Sequence, residues 1–475
     1  MIQYSRLKPS KDLASLKHEI KLLKQLLEKQ IKTVYFLYKI GLRNLNKVLR
    51  LIFYQRSIAF AFLFPYLCEV LPKTFKAVVK SILDLKFNDL PGKILEILKD
   101  PLESDRLPIF MIKLIATLNA LNPLLLKALL PYVKGKHIQF VSTFLAGVIA
   151  SLLNFPFFQD VKISQDRFYT FDWTLILIVK AFDTVVTSLA SRDSTYFPIP
   201  SEYMDVLLAI VSSYLITNSW YFHPEKLNPS YVSWVNKMSV VDREVVEGMR
   251  YLNDGSLQYN PQDSEKGSPC HQDHFINYAI KNNKNPELGD LSKHEKLPCE
   301  VLHQFRTKSC RKNAMIAFVK QFKRTFKFYA YINLFMYIVV KRFRGNIINI
   351  LKKTIRSSLF ISSLTTIQWC FICFIRNNHP IWKNQKFWDI FSAKIGAAFA
   401  GFGILFEYPQ RRNDLLIFVT PKALGTFFNM EPTTLNKTLE VIGFSLSFAT
   451  LVAFARSNPK RLRGLVGKGL SYMVK

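Results

Sequence analysis

Six side chains able to bind metal or act as nucleophiles fall in one polar stretch: Cys270, His271, His274, Cys299, His303 and Cys310. Cys270 with His274, and Cys299 with His303, each enclose three residues, so on a helix both members of a pair reach one turn and can face one ion. Zinc takes four nitrogen or sulfur ligands, and a closed site drawn from Cys270, His274, Cys299, His303 and Cys310 would explain how a polar segment keeps its order. The spacing is not that of a standard finger. A disulfide between Cys299 and Cys310 is one alternative. Reduced thiols beside surface histidines is the reading that stands first, and it requires no cofactor, leaving zinc as the only one weighed.

Other chemistry-bearing residues lie in apolar surroundings. Cys370 and Cys373, in "TTIQWCFICFI", have no basic neighbour to favour a thiolate, so they read as small buried hydrophobes rather than a redox pair. Asp172 and Asp183 bracket Lys180. A charge near mid-membrane costs about 2.5 to 3.5 kcal/mol on insertion scales. Lys180 and Asp183, three residues apart, can offset this as an ion pair, with a transport path as the alternative. There is no phosphate loop, nucleophile elbow or HExxH, so no enzyme is expected.

The elements that would position these residues are helices in lipid. Of 475 residues 49% are hydrophobic, including 40 Phe, which is heavy for a soluble chain. Apolar segments occur near 57–71, 108–133, 138–158, 173–191, 203–221, 328–340, 358–375, 391–406, 414–428 and 438–455. A span needs about 20 apolar residues, and several of these are shorter, so an all-α polytopic membrane protein with six to eight transmembrane helices is expected. Residues 108–133, interrupted by Lys113 and Lys127, read as interfacial.

Charge agrees with that class. Lys and Arg outnumber Asp and Glu by 65 to 34, yet the basic residues flank apolar runs instead of forming one nucleic-acid-binding domain. The lipid bilayer and its anionic headgroups are the expected partners, and nucleic acid is not. Basic ends at 1–50 and 456–475 predict cytosolic termini and an even number of spans. Residues 12–31 repeat leucine and isoleucine in steps of three and four between lysines, an amphipathic helix that would lie on lipid or recruit a cytosolic partner. Neither a signal peptide nor a matrix presequence is visible, so an intracellular organelle membrane is the expected compartment.

The organisation expected is a basic helical region at 1–50, a first membrane half at 51–222, a polar Cys/His-containing loop at 223–325, a second half at 326–455 and a basic tail at 456–475. The halves read as related. "FLAGVIASLLNFPFF" (144–158) followed by "TLILIVKAFDTV" (174–185) parallels "AAFAGFGILFEYP" (397–409) followed by "LLIFVTPKALGTF" (415–427), pairing Ala146, Gly147, Pro156, Lys180 and Ala181 with Ala400, Gly401, Pro409, Lys422 and Ala423. One turn apart, Ala146, Gly147, Ser151, Gly396, Ala400 and Gly401 form notches that let helices approach closely in lipid. They would serve packing within the chain or, alternatively, a homo-oligomer. "EYPQRRND" reads as a membrane-edge turn: Pro409 ends one helix, and Arg411 and Arg412 sit at headgroup level with Glu407 and Asp414 as partners.

Two stretches, "FEYPQRRNDLLIFVTPKAL" after its glycine-rich helix and "LPCEVLHQFRTKSC" (297–310), resemble the transmembrane protein 135 family, itself similar to the Tim17/Tim22/Tim23 and peroxisomal membrane protein 24 group. Lys422 stands where the family has Arg, and Gln304 where it has Pro. The resemblance implies a membrane protein of peroxisomes or mitochondria concerned with organelle organisation, fission balance and lipid handling, with no catalytic residue. The rival expectation is a metabolite, lipid or polypeptide transporter or channel of the same membrane.

Overall fold

A computed structural model of the chain describes residues 56–84, 89–133, 135–190, 201–260, 270–339, 346–378, 385–428, 431, 433–462 and 464–474. The amphipathic stretch 12–31 lies outside them. The described residues form helices joined by turns, with no strand among them, and six helices are long and apolar enough to cross a membrane, which agrees with the all-α polytopic expectation. One of the six runs through residues 90–129, the region expected to be interfacial.

Two units can be separated, residues 1–116 with 472–475, and residues 117–471. In the first, α1 (Arg56–Leu83) and α2 (Leu90–Lys99) form a hairpin. Lys73 donates to Asp100 at 2.6 Å and the Tyr66 hydroxyl to the Leu98 carbonyl at 3.0 Å. The boundary falls within α3 (Leu107–Leu129).

In the second unit two helical triplets are interwoven. The first triplet is α4 (Ile138–Gln165), α5 (Tyr169–Ala190) and α6 (Ser201–Phe222). Downstream lie α7 (Pro229–Ser239), α8 (Arg243–Asp254), α9 (His274–Lys281), α10 (Cys299–Leu302), α11 (Cys310–Val339) and α12 (Ile347–Asn378). The second triplet is α13 (Gln385–Ala400), continued by a 3-10 segment over Gly401–Phe406, then α14 (Pro409–Gly425) and α15 (Thr434–Ser457). A final α16 spans Gly464–Val474. Helix α15 lies against α4 and α5, whereas α6 lies against α13, the 3-10 segment and α14. Each triplet thus gives its third helix to the other's first two, and α5 meets α14 between them.

Small residues make this exchange sterically feasible. A Cβ added to Gly147 would stand 2.8 Å from the Ala449 Cα on α15, and one added to Gly401 would stand 2.4 Å from the Ile210 Cα on α6. The two glycines paired by the sequence repeat therefore perform equivalent contacts on opposite third helices. Ala146, Ser151, Gly396 and Ala400 are buried beside them, so these notches serve packing inside the chain.

The stretch expected as a polar loop is a packed helical lobe. Leu252, Leu257, Phe275, Leu291, Leu297 and Val301 are fully buried there, and Trp220, Trp369, Ile372 and Ala393 from α6, α12 and α13 complete the core. Most of this core comes from the lobe's own short elements, and the ends of long helices supply the rest. Local signals punctuate it: Asn228 caps α7, accepting from the Ser230 N–H at 3.0 Å ahead of Pro229 at the first position, and Gly255 ends α8 at φ +88°.

Candidate functional site

Where the lobe meets the end of α12, a sulfur- and nitrogen-rich cluster forms. Cys299 opens α10, His303 follows its last residue, and Cys310 begins α11. One ligand atom from each of the three lies within 4.8 Å of the others. The loop between His303 and Cys310 doubles back through Gln304 and Phe305, whose φ angles of +60° and +55° are in the left-handed region that non-glycine residues rarely occupy. His303 is fully buried. Its Nδ1 donates to the Thr307 carbonyl at 2.9 Å, which fixes the tautomer and leaves the Nε2 lone pair pointing inward, 3.3 Å from the Cys373 Sγ. Burial holds the imidazole below its usual pKa and therefore neutral, and the nearby Arg376 charge acts in the same direction. Burial pushes the Cys299 thiol up, against the opposing pull of Arg376.

Beside the cluster, Arg376 and Asp389 form an ion pair at 2.5 Å, both almost wholly removed from solvent. Arg376 also donates to the Leu297 carbonyl at 2.6 Å and approaches the Cys299 Sγ at 3.9 Å. Tyr259 donates its hydroxyl to Asp389 and accepts from the Leu297 N–H at 2.8 Å. Every strong donor and acceptor here has a partner, which is what such a burial requires.

The five residues weighed for metal are thus divided. Cys299, His303 and Cys310 converge, while Cys270 is exposed and His274 is committed elsewhere, its Nε2 donating to the Glu244 carbonyl at 2.8 Å. His271 stacks on Tyr251 at 3.9 Å. Cys373, expected as an inert hydrophobe, faces the cluster, whereas Cys370 points outward. No local spacing joins Cys373 to residues some seventy positions earlier, although its place one turn before the end of an apolar helix was visible.

The charges singled out from the sequence at 172, 180 and 422 are paired. Lys180, fully buried, donates to Asp183 at 2.7 Å, and Lys422 on α14 donates to Asp172 on α5 at 2.5 Å. Asn228 adds a second contact to Asp172 at 3.1 Å. Cavities of about 90 and 260 Å³ lie among these helices, and neither is lined by Asp172, Lys180 or Lys422.

The turn at 407–414 differs from the expectation. Pro409 does not end a helix but begins α14, where its missing N–H costs nothing; the preceding helix has already given way to 3-10 winding at Gly401. Glu407 is fully buried and accepts from Ser357 at 2.8 Å. Arg412, also buried, donates to the Leu405 and Glu407 carbonyls at 3.2 Å, satisfying the end of the 3-10 segment. Of the four charged residues of the turn, Asp414 is exposed and Arg411 half-exposed. The buried serine stripe of α12 that receives this turn, Ser357, Ser358, Ser362 and Ser363, was unmarked in the sequence reading.

Residues 298–431 match a family model described as the N-terminal cysteine-rich region of Transmembrane protein 135. The match takes in Cys299, His303, Cys310, Cys373, the Arg376–Asp389 pair and the 407–414 turn, and leaves out Cys270 and His274. No curated protein and no solved structure was found to match the chain.

Proposed function

We propose, from the match of residues 298–431 to a model of the transmembrane protein 135 family, that this multi-pass membrane protein is a non-enzymatic organiser of a peroxisomal or mitochondrial membrane, acting on fission balance and lipid handling. The observation that carries the reading is the condition of the charges on α5 and α14: Lys422 and Asp172 bridge α14 to α5, and Lys180 is closed onto Asp183. Charges held in this way brace a scaffold, whereas a transport path requires them to face a cavity the cargo can enter. The peroxisomal or mitochondrial compartment is proposed on the same resemblance. The cytosolic partner proposed for residues 12–31, beyond contact with anionic headgroups, rests on the sequence pattern alone.

The rival transporter reading is favoured by one feature, the helix broken into 3-10 winding at Gly401–Phe406, since discontinuous helices often mark substrate sites. The two are separated by imaging organelle size and number in cells lacking the chain, complemented with Asp172→Asn/Lys422→Gln. An organiser keeps its effect once the neutral pair folds. Loss of the effect, with the variant correctly inserted, would support transport. Colocalisation of the tagged chain with peroxisomal or mitochondrial markers assigns the compartment.

A further inference from the structure

We propose that Cys299, His303, Cys310 and Cys373 form a closed, four-coordinate structural site for zinc that staples the lobe to the end of α12. The first three residues already place their ligand atoms within 4.8 Å of one another. The fourth is Cys373, whose Sγ lies 3.3 Å from the His303 Nε2, and whose thiol, like that of Cys299, is close enough to Cys310 to feel its charge. In a tetrahedral site with zinc–sulfur bonds of about 2.3 Å and zinc–nitrogen bonds of about 2.0 Å, neighbouring ligand atoms stand about 3.5 to 3.8 Å apart. The His303–Cys373 separation lies just below that range and the 4.8 Å bound on the other three reaches above it, so the cluster has the size of such a site and accepts the ion by small side-chain adjustments.

The surroundings have the form expected around such a ligand set. The Nδ1–H of His303, bound to the Thr307 carbonyl, orients the ring and keeps Nε2 free for the metal, the usual outer contact of a zinc-bound histidine. Asn377 donates to the Cys310 Sγ at 3.5 Å, and Arg376 approaches the Cys299 Sγ at 3.9 Å, both suited to thiolate acceptors. Three thiols binding Zn²⁺ release three protons and leave one net negative charge, which Arg376 and the nearby Lys296 offset. The left-handed backbone at Gln304 and Phe305 is strain that a bound ion would hold in place, because it brings Cys310 back onto His303. Three cysteines and one imidazole, with no carboxylate, select zinc over calcium or magnesium.

Elemental analysis of the full chain purified in detergent tests this. The expected result is stoichiometric zinc, retained by Cys270→Ser and His274→Ala, with affinity reduced at least about tenfold in Cys373→Ser. Replacing the ion by cobalt(II) in the unmutated chain should give the intense visible bands of a tetrahedral thiolate site, a reading that does not depend on any variant folding. Three results would each overturn the proposal: unmutated chain with neither zinc nor cobalt bands, zinc unchanged in Cys373→Ser, or a Cys299–Cys310 disulfide in the native chain.

Discussion

Arg376 and Asp389 illustrate how costly a single buried charge becomes once its partner is gone. Both are nearly solvent-free, and removing one leaves the other uncompensated, a loss of about 3 to 5 kcal/mol. Arg376→Met and Asp389→Leu should each lower the denaturation midpoint of the detergent-solubilised chain strongly, while the double variant should lose much less than the sum. At the 407–414 turn the two arginines separate in the same manner. Arg412→Leu strands the carbonyls of Leu405 and Glu407 and should cost about 1 to 3 kcal/mol, and Arg411→Leu, at a half-open position, clearly less. The sequence shows these residues as adjacent and alike. Their difference comes from the direction each side chain takes from the first turn of α14, which spacing does not specify.

At the scale of elements, the glycine notches are where the fold tolerates least. Gly401→Ala drives a methyl to within 2.4 Å of backbone on α6, and Gly147→Ala to within 2.8 Å of backbone on α15. Both should reduce the thermal stability of the purified chain, the first more severely, because backbone cannot move aside as a side chain can. Gly92→Ala, with nothing within 4 Å of the new methyl, should be neutral or slightly stabilising. Much of this was legible in advance: small residues one turn apart marked Gly147 and Gly401, and apolar runs marked the long helices. The lobe was not legible. Its core is assembled from Leu252, Phe275, Leu291 and Val301 on short separate elements together with Trp369 and Ile372 of α12, and no single window shows that face. Cys373 was hidden by the same arrangement, since its partners come from the lobe.

For the whole molecule, the exchange of α6 and α15 means that neither triplet is complete alone. Fragments divided between residues 339 and 346, expressed separately, should be degraded or aggregate, and expressed together should copurify as a complex. Copurification failing while each fragment remained stable would show that the triplets are independent. The two triplets are alike without being identical. The offset that carries Lys180 onto Lys422 also carries Asp172 onto Asp414, yet Lys422 reaches across to Asp172, while Lys180 turns to Asp183 and Asp414 stays exposed. Of the two ties that this correspondence would allow, one is formed. The interweaving also sets a timetable for biogenesis: α4 is made long before its partner α15, so the Gly147 notch must wait in lipid while all the intervening helices are synthesised.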